Sequence, residues 1–378
     1  MVANSTSVEH GSAVSAAAPP NKSLDGHKLL ILSDLAPPKD FFKELQTKFP
    51  GIKVEYRYTP WVLKVPGGEG FKVEDWKDVT ILLTGNAFPA SREIAPKLQY
   101  VQLQSAGANM VLKHPLFLET DVAFCTANGV AGPQIAEWVI ATFLAFQHTI
   151  PAYLDLQRQG TWKRLGEHMG IEDAVGRRVG ILGYGSIGRQ VARLAQALGA
   201  ETYAYTLHPK KTPESRRDHA YAPPGLGDPE GVLPKKWFSG ETKEELHEFL
   251  SQGFDLLVVS VPLTDKTRHL LAGPEFEILK ARKTFVSNIA RGAIIKTDDL
   301  IDALDKGLIR GAALDVTDPE PLPDGHPLWK AKNVIITPHV SGNSTAYTER
   351  VLALLENNLT RLSEGKELMN QVSRRDGY

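Results

Sequence analysis

The sequence predicts an α/β protein built from parallel, doubly wound sheets in two domains. Three observations carry this. Short apolar runs alternate with longer amphipathic ones along most of the chain, the pattern of strands joined by helices. A chain of 378 residues exceeds one typical domain, so two are the default. The run VGILGYGSIG, residues 179–188, leads from a strand through a glycine-rich turn into a helix.

From Lys28 onward, KLLILS, IKVEYRY, VTILLTG, YVQLQS and VAFCTA read as strands. DFFKELQTKF between the first two reads as helix, with Phe41, Phe42, Leu45 and Phe49 on one side. The character changes near residue 129. GVAGPQIAEWVIATFLAFQHTI is a mostly apolar helix with Pro133 at its start, where a missing N–H costs little. Apolar on most sides, it is expected to be buried between domains or subunits.

A second series follows: RRVGILGYG, ETYAY, DLLVVSVPL, KTFVSNI, IRGAALDV and NVIITP as strands. Helices are expected from Ser186 to Leu198, stopped by Gly199, and from Asp298 to Lys306, with Thr297 as its N-cap. Residues 207–240, rich in Pro, Gly and charge, show no apolar period and read as a long insertion. Residues 1–25 read as a flexible tail.

Hydrophobic content of 42%, charged content of 23% and a formal net charge of -1 suit a soluble globular chain. They give no broad basic footprint for nucleic acid or an anionic membrane. No apolar stretch is long enough to span a bilayer, and the N-terminus lacks a secretory signal pattern. The single cysteine, Cys125 in VAFC, reads as a buried small hydrophobe in a reducing, cytoplasmic setting. No metal site is expected.

Gly183, Gly185 and Gly188 form G-x-G-x-x-G. Gly183 permits the tight turn, Gly185 lets backbone approach a pyrophosphate, and Gly188 lets the helix pack close to its strand. Ser186 and Ile187 begin the helix whose N–H groups face the anion. The next strand, ETYAYT, ends in Thr206 where an acid would hold the ribose hydroxyls of NAD(H). His208, Lys210 and Lys211 follow. A hydroxyl with cations nearby accepts a 2′-phosphate that a carboxylate repels, so NADP(H) is expected over NAD(H).

Arg291, Glu320 and His339 each follow a predicted strand. Arginine offers a planar fork to a carboxylate and its neighbouring carbonyl. Histidine can protonate an alkoxide left by hydride addition. Glu320 can bond the far ring nitrogen, fix the tautomer and favour the protonated ring. Taken singly, Arg291 also reads as an ion-pair partner, Glu320 as a solvated turn residue, and His339 as a helix N-cap or a satisfied core histidine. Together, after the glycine-rich turn, they point to reduction of a 2-keto acid.

The motifs GYGSIG, VSVPLTDKTRHLL, NIARGAII, DVTDPEPLP, HPLW and TPHVSG resemble those of the D-isomer-specific 2-hydroxyacid dehydrogenases, which include glyoxylate and hydroxypyruvate reductases. The resemblance runs from about Lys28 to Glu364. It implies two Rossmann-like domains with the active site in the cleft between them. A flavodoxin-like substrate domain would comprise residues 26–128 and 343–378, and a dinucleotide-binding domain residues 129–342.

It also implies Arg291 as substrate-binding arginine, His339 as acid/base and Glu320 as its partner. QSAGAN would be the substrate loop, with Ser105 beside the backbone N–H groups of Ala106 and Gly107. Pro262 and Ile289 would line the cofactor, and Asp315 would orient its carboxamide. The long helix after Gly129 resembles the family's dimerisation arm, implying a homodimer. A different class, the cofactor-sensing corepressors, keeps the same three residues on this fold. The side-chain pocket is expected near Ser33–Leu35, Trp61, Asn86 and Trp329.

Overall fold

A computed structural model describes residues 20–60, 71–166 and 171–375. Trp61 lies outside the described residues. Among the described residues twelve strands make two sheets, parallel throughout. The first holds β1 (Lys28–Ser33), β2 (Lys53–Tyr58), β3 (Ile81–Thr84), β4 (Tyr100–Leu103) and β5 (Ala123–Cys125), in the order β2-β1-β3-β4-β5.

The second holds β6 (Arg178–Leu182), β7 (Glu201–Thr206), β8 (Lys236–Ser239), β9 (Leu256–Val259), β10 (Phe285–Asn288), β11 (Gly311–Leu314) and β12 (Val334–Ile336). Their order is β12-β11-β10-β9-β6-β7-β8. Chain direction across each sheet reverses once, beside β1 and beside β6. Such switch points open a crevice at the carboxyl ends of the strands.

Central strands β3, β4, β9, β10 and β11 are buried at every residue, which suits their mostly apolar sequences. One core cluster continues from Ile31 in the first sheet, through Ile135 and Val139, to Ile181 and Phe285 in the second. The helix Gly132–Gln147 carries it across. Its Phe146 ring lies 4.6 Å from Phe285. A Cβ on Gly311 would fall 2.6 Å from the same ring, so glycine is what lets the helix seat on the sheet.

The chain returns to the first sheet in the helix Tyr347–Ser363. Buried Asn358 donates to the Tyr100 hydroxyl at 3.1 Å and to Gln102 Oε1 at 3.2 Å. The segment beyond it runs antiparallel to β5, bridging Gln371 to Cys125, with the Val372 N–H donating to the Phe124 carbonyl at 2.7 Å. Cys125 is fully buried, and burial pushes its thiol pKa up, as befits an inert core residue.

Three local expectations need correction. Residues 20–25 are not part of a free tail: Leu24 is fully buried and the Asn21 N–H donates to the Ser363 carbonyl at 2.8 Å. Lys296, not Thr297, is the N-cap of the helix Thr297–Asp305; the Thr297 hydroxyl instead donates to the Asp318 carbonyl at 2.8 Å. The 207–240 stretch is not irregular throughout, because β8 adds an outer strand to β7.

The remainder of that stretch is bound down. The Tyr184 hydroxyl, inside the glycine-rich turn, donates to Asp228 Oδ2 at 2.8 Å. Arg189 donates to the Arg216 carbonyl at 2.7 Å and also to the Asp228 carbonyl. The Gly227 N–H donates to Gln190 Oε1 at 2.7 Å. At its far side the Tyr221 N–H donates to Asn370 Oδ1 at 3.3 Å, and a Cβ on Gly129 would fall 1.7 Å from the Tyr221 carbonyl oxygen.

Candidate active site

One large cleft, of about 1590 Å³, lies along the carboxyl ends of both sheets. Its floor is the turn after β6. Gly183 has φ +105, and a Cβ there would lie 2.7 Å from the Ser260 backbone. A Cβ on Gly188 would lie 2.5 Å from the Gly183 carbonyl oxygen, so helix and turn touch backbone to backbone. Around Gly185 a Cβ meets nothing within 4 Å, leaving that side open to the cleft. Ser186 and Ile187 line the cleft at the start of the helix Ser186–Ala197, and a helix N-terminus favours an anion. The Ser186 hydroxyl donates to Asn128 Oδ1 at 2.6 Å, tying this turn to the crossing between the sheets.

Thr206 closes β7 on the cleft wall, with His208 and Lys210 beside it. Its hydroxyl donates to the His208 carbonyl at 2.8 Å. The Lys210 carbonyl is held by Arg216 Nε at 3.0 Å. Pro262 and Ile289 line the cleft farther along, and Glu241 joins them from the segment after β8. Glu241 is paired with Lys266. Open space at Gly185, a helix N-terminus and apolar walls fit a dinucleotide.

Three neighbouring strands deliver the polar groups. Arg291 follows β10, Asp315 and Glu320 follow β11, and His339 follows β12. Asn288, which motif reading missed, sets the first loop: its Nδ2 donates to the Arg291 carbonyl at 3.0 Å, and its Oδ1 accepts the Ala290 N–H at 3.1 Å. Burial pulls the Arg291 guanidinium pKa below its ordinary value, and the Glu320 charge opposes the fall. A desolvated guanidinium favours an anionic partner.

His339 Nδ1 lies 2.7 Å from Glu320 Oε1. His339 lines the cleft, and with Nδ1 taken by Glu320 its other ring nitrogen is Nε2. Across from them the Ser105–Gly107 loop lines the opposite wall. The Ser105 hydroxyl donates to the Gly107 carbonyl at 2.7 Å, so it shapes the loop. Tyr347 also lines this end; its hydroxyl donates to the Gln104 carbonyl at 2.6 Å, and burial pushes its pKa up to about 12.

Of the residues expected around the substituent pocket, Ser33, Asp34 and Leu35 line the cleft. Asn86 and Trp329 are not among the described lining residues. Trp329 instead donates from Nε1 to the Pro323 carbonyl at 2.9 Å. Met110, 43% exposed, is an apolar lining residue that no motif signalled. Among the described residues there is no cluster of three or more metal-binding side chains, and no helix long and apolar enough to cross a membrane.

Comparison with known proteins agrees with this geometry. Residues 140–224 and 231–341 match the family pattern of the D-isomer specific 2-hydroxyacid dehydrogenase NAD binding domain. A glyoxylate reductase of Aeropyrum pernix is 31% identical over 341 residues, 88% of this chain and 92% of that one. A glyoxylate/hydroxypyruvate reductase A of Salmonella newport is 29% identical over 287 residues, 75% and 82% of the two chains. A D-isomer specific 2-hydroxyacid dehydrogenase of Xanthobacter autotrophicus Py2, solved in complex with NADPH and MES, superposes with a TM-score of 0.70 at 27% identity, covering 96% of this chain and all of that one. The chain therefore belongs to the D-isomer specific 2-hydroxyacid dehydrogenases, oxidoreductases with a nicotinamide-dinucleotide domain on a two-sheet α/β fold.

Proposed function

We propose that this enzyme is an NADPH-preferring reductase of a small 2-keto acid, with glyoxylate and hydroxypyruvate the first substrates to try. The observation that carries the reading is that His339, paired with Glu320, lines the same cleft as a desolvated Arg291. Bound in the cleft, the reduced nicotinamide supplies the hydride. Arg291 grips the substrate carboxylate and carbonyl with its fork. The Ala106 and Gly107 N–H groups complete the carboxylate site. His339 gives its Nε2 proton to the carbonyl oxygen as charge builds there. Glu320 holds Nδ1–H, keeping Nε2 as the donor and stabilising the imidazolium before transfer.

The preference for NADPH rests on what stands at the end of β7. Thr206 brings no negative charge, and its hydroxyl hydrogen is already committed to the His208 carbonyl. Its contribution is thus to leave the place uncharged, while His208 and Lys210 supply the donors for a 2′-phosphate. Residues 129–342 form the dinucleotide domain in this reading, with 26–128 and 343–378 forming the substrate domain. Two copies pair in this reading, as the resemblance of the long helix after Gly129 to a dimerisation arm implies; the helix that follows it, Ile150–Arg158, has no buried residue, and its Ile150 and Leu154 are each 43% exposed. Cytoplasmic placement fits a single buried thiol.

The test is turnover. Purified chain is mixed with NADPH or NADH and a panel of glyoxylate, hydroxypyruvate, pyruvate and phenylpyruvate, and absorbance of the reduced nicotinamide is followed. Consumption of NADPH with the small keto acids, and at least about tenfold lower kcat/KM with NADH, is the expected result. No consumption with any 2-keto acid overturns the reading.

A further inference from the structure

Tyr184 stands between Gly183 and Gly185 and is only 4% exposed. Its hydroxyl donates to Asp228 Oδ2 at 2.8 Å. Its ring meets the Trp237 ring edge-on at 5.0 Å, and the Arg189 guanidinium lies 5.1 Å from its centre. Burial, with the Asp228 charge beside it, pushes the phenol pKa up, so the hydroxyl remains a donor. Two of these three partners, Asp228 and Trp237, belong to the 207–240 insertion.

Asp228 is itself buried, at 3% exposure, and fixed from its own side. The Val232 N–H donates to Oδ1 at 3.0 Å and the Leu233 N–H to Oδ2 at 3.2 Å. Arg189 donates to its carbonyl, while Asp218 Oδ2 lies 3.3 Å from Arg189 Nε. Arg189 and Gln190, the acceptor for Gly227, both sit on the helix Ser186–Ala197. The insertion therefore grips the glycine-rich turn and also the helix that the turn opens. Asp228 falls in residues 225–230, between the two stretches that match the family pattern.

At such a turn backbone groups meet the pyrophosphate, so a side chain acts there by fixing the backbone. Glycines leave the turn more conformational freedom to lose than other residues would. Anchoring it beforehand removes that ordering cost from binding.

We propose that Asp228 is a positioning residue for the dinucleotide. Through the Tyr184 hydroxyl it holds the glycine-rich turn in the shape that receives the pyrophosphate, with the insertion as its brace. The proposal rests on a nicotinamide dinucleotide binding at this turn. The pyrophosphate is common to NADPH and NADH, so the brace acts on both alike, unlike Thr206, His208 and Lys210 at the ribose end.

Three full-length variants test it: Tyr184→Phe, Asp228→Asn and the double. Glu230→Gln is the control, because it breaks only an exposed pair with Arg217 on the same insertion. Each is read by NADPH and NADH dissociation constants from nucleotide fluorescence, by keto-acid KM, by kcat at saturating cofactor and by melting temperature. Each single variant should weaken both cofactors by the same factor, about threefold to tenfold. The double should fall within about twofold of the weaker single, since one bond is cut in all three. Keto-acid KM and saturated kcat should stay within about twofold, and Glu230→Gln should match wild type.

Both single variants binding both cofactors within about twofold of wild type overturns the proposal, whatever their melting temperatures, because the bond then serves stability alone. A shift of more than about threefold in the NADPH/NADH ratio also overturns it, by placing the effect at the ribose end. So does a Glu230→Gln variant as weak as Asp228→Asn, which would mean that any loosening of the insertion suffices. Wild-type chain that binds neither cofactor removes the dinucleotide reading itself, and the brace falls with it. Should Asp228→Asn not fold, Tyr184→Phe decides alone.

Discussion

Gly107 stands so close to Arg291 that a Cβ built on it falls 2.6 Å from the guanidinium Nη2. The two come from different sheets, so their contact is where the walls of the cleft meet. Gly107→Ala forces the guanidinium aside, because the loop behind Gly107 is stiffened by the Ser105 hydroxyl. The expected result is a rise of at least about tenfold in keto-acid KM, with NADPH affinity unchanged. Steady-state kinetics beside a fluorescence titration of NADPH check it; an unchanged KM would mean that this wall does not bind the acid.

Arg291→Lys keeps the charge but loses the planar fork. On the proposed role, kcat/KM falls by about a hundredfold or more. A lysine variant within about threefold of wild type would reduce Arg291 to a point charge.

Thr206→Asp places a carboxylate beside His208 and Lys210. It should repel a 2′-phosphate and offer an acceptor to a ribose hydroxyl, moving the NADPH/NADH ratio of kcat/KM by about tenfold or more toward NADH. The two cofactors are compared at a fixed keto acid concentration. A ratio that does not move would place cofactor choice elsewhere on the loop.

Leu154→Glu puts a charge on the exposed helix Ile150–Arg158. Among the described residues nothing buries that helix, so the fold should survive while a dimer dissociates. Sedimentation across a range of concentrations should show the wild type as a pair and the variant as single chains. Equal masses for both would locate the contact on another surface.

Acid should destabilise the fold through two histidines. Burial lowers the pKa of His27 and of His114 from 6.5. The neutral ring is therefore favoured in the folded state, and His114 Nδ1 accepts the Leu116 N–H at 3.2 Å. The unfolded chain takes up protons first, so this contribution is complete above about pH 6.5 and is lost as the pH falls through the lower folded values. Melting temperature should drop between about pH 7 and pH 5, and His114→Asn, which keeps an acceptor for the helix, should shallow that slope. A slope identical to wild type would exclude His114 as a contributor.

Much of this was legible from residues alone. The sheets were, because buried parallel strands write themselves as unbroken apolar runs such as LLVV and GAAL. The Arg291, Glu320 and His339 loops stood out because each puts one reactive side chain just past such a run. What escaped depends on partners far along the chain. Edge strand β8 is KWFS, flanked by lysines and glycine, and becomes a strand only by pairing with β7. Asp228 looks like one more charge in a loop until Tyr184, in the glycine-rich turn, reaches it. Asn288 acts by bonding to the loop beside it, and no periodicity records which loop a side chain will meet. Thr297 has the chemistry of an N-cap, but the carbonyl of Asp318 claims its hydroxyl.

The segment past Asn370 has a meaning for how the chain survives at high concentration. β5 is the outer strand of the first sheet, and its backbone would otherwise present an open ladder beside buried Phe124. The returning chain occupies that ladder through Gln371 and Val372, and Arg374 lays its guanidinium 4.6 Å from the Phe117 ring centre. An uncovered strand edge is a template for pairing with another molecule. Residues 371–374 thus cover that edge, and shortening the chain behind Asn370 should cost solubility.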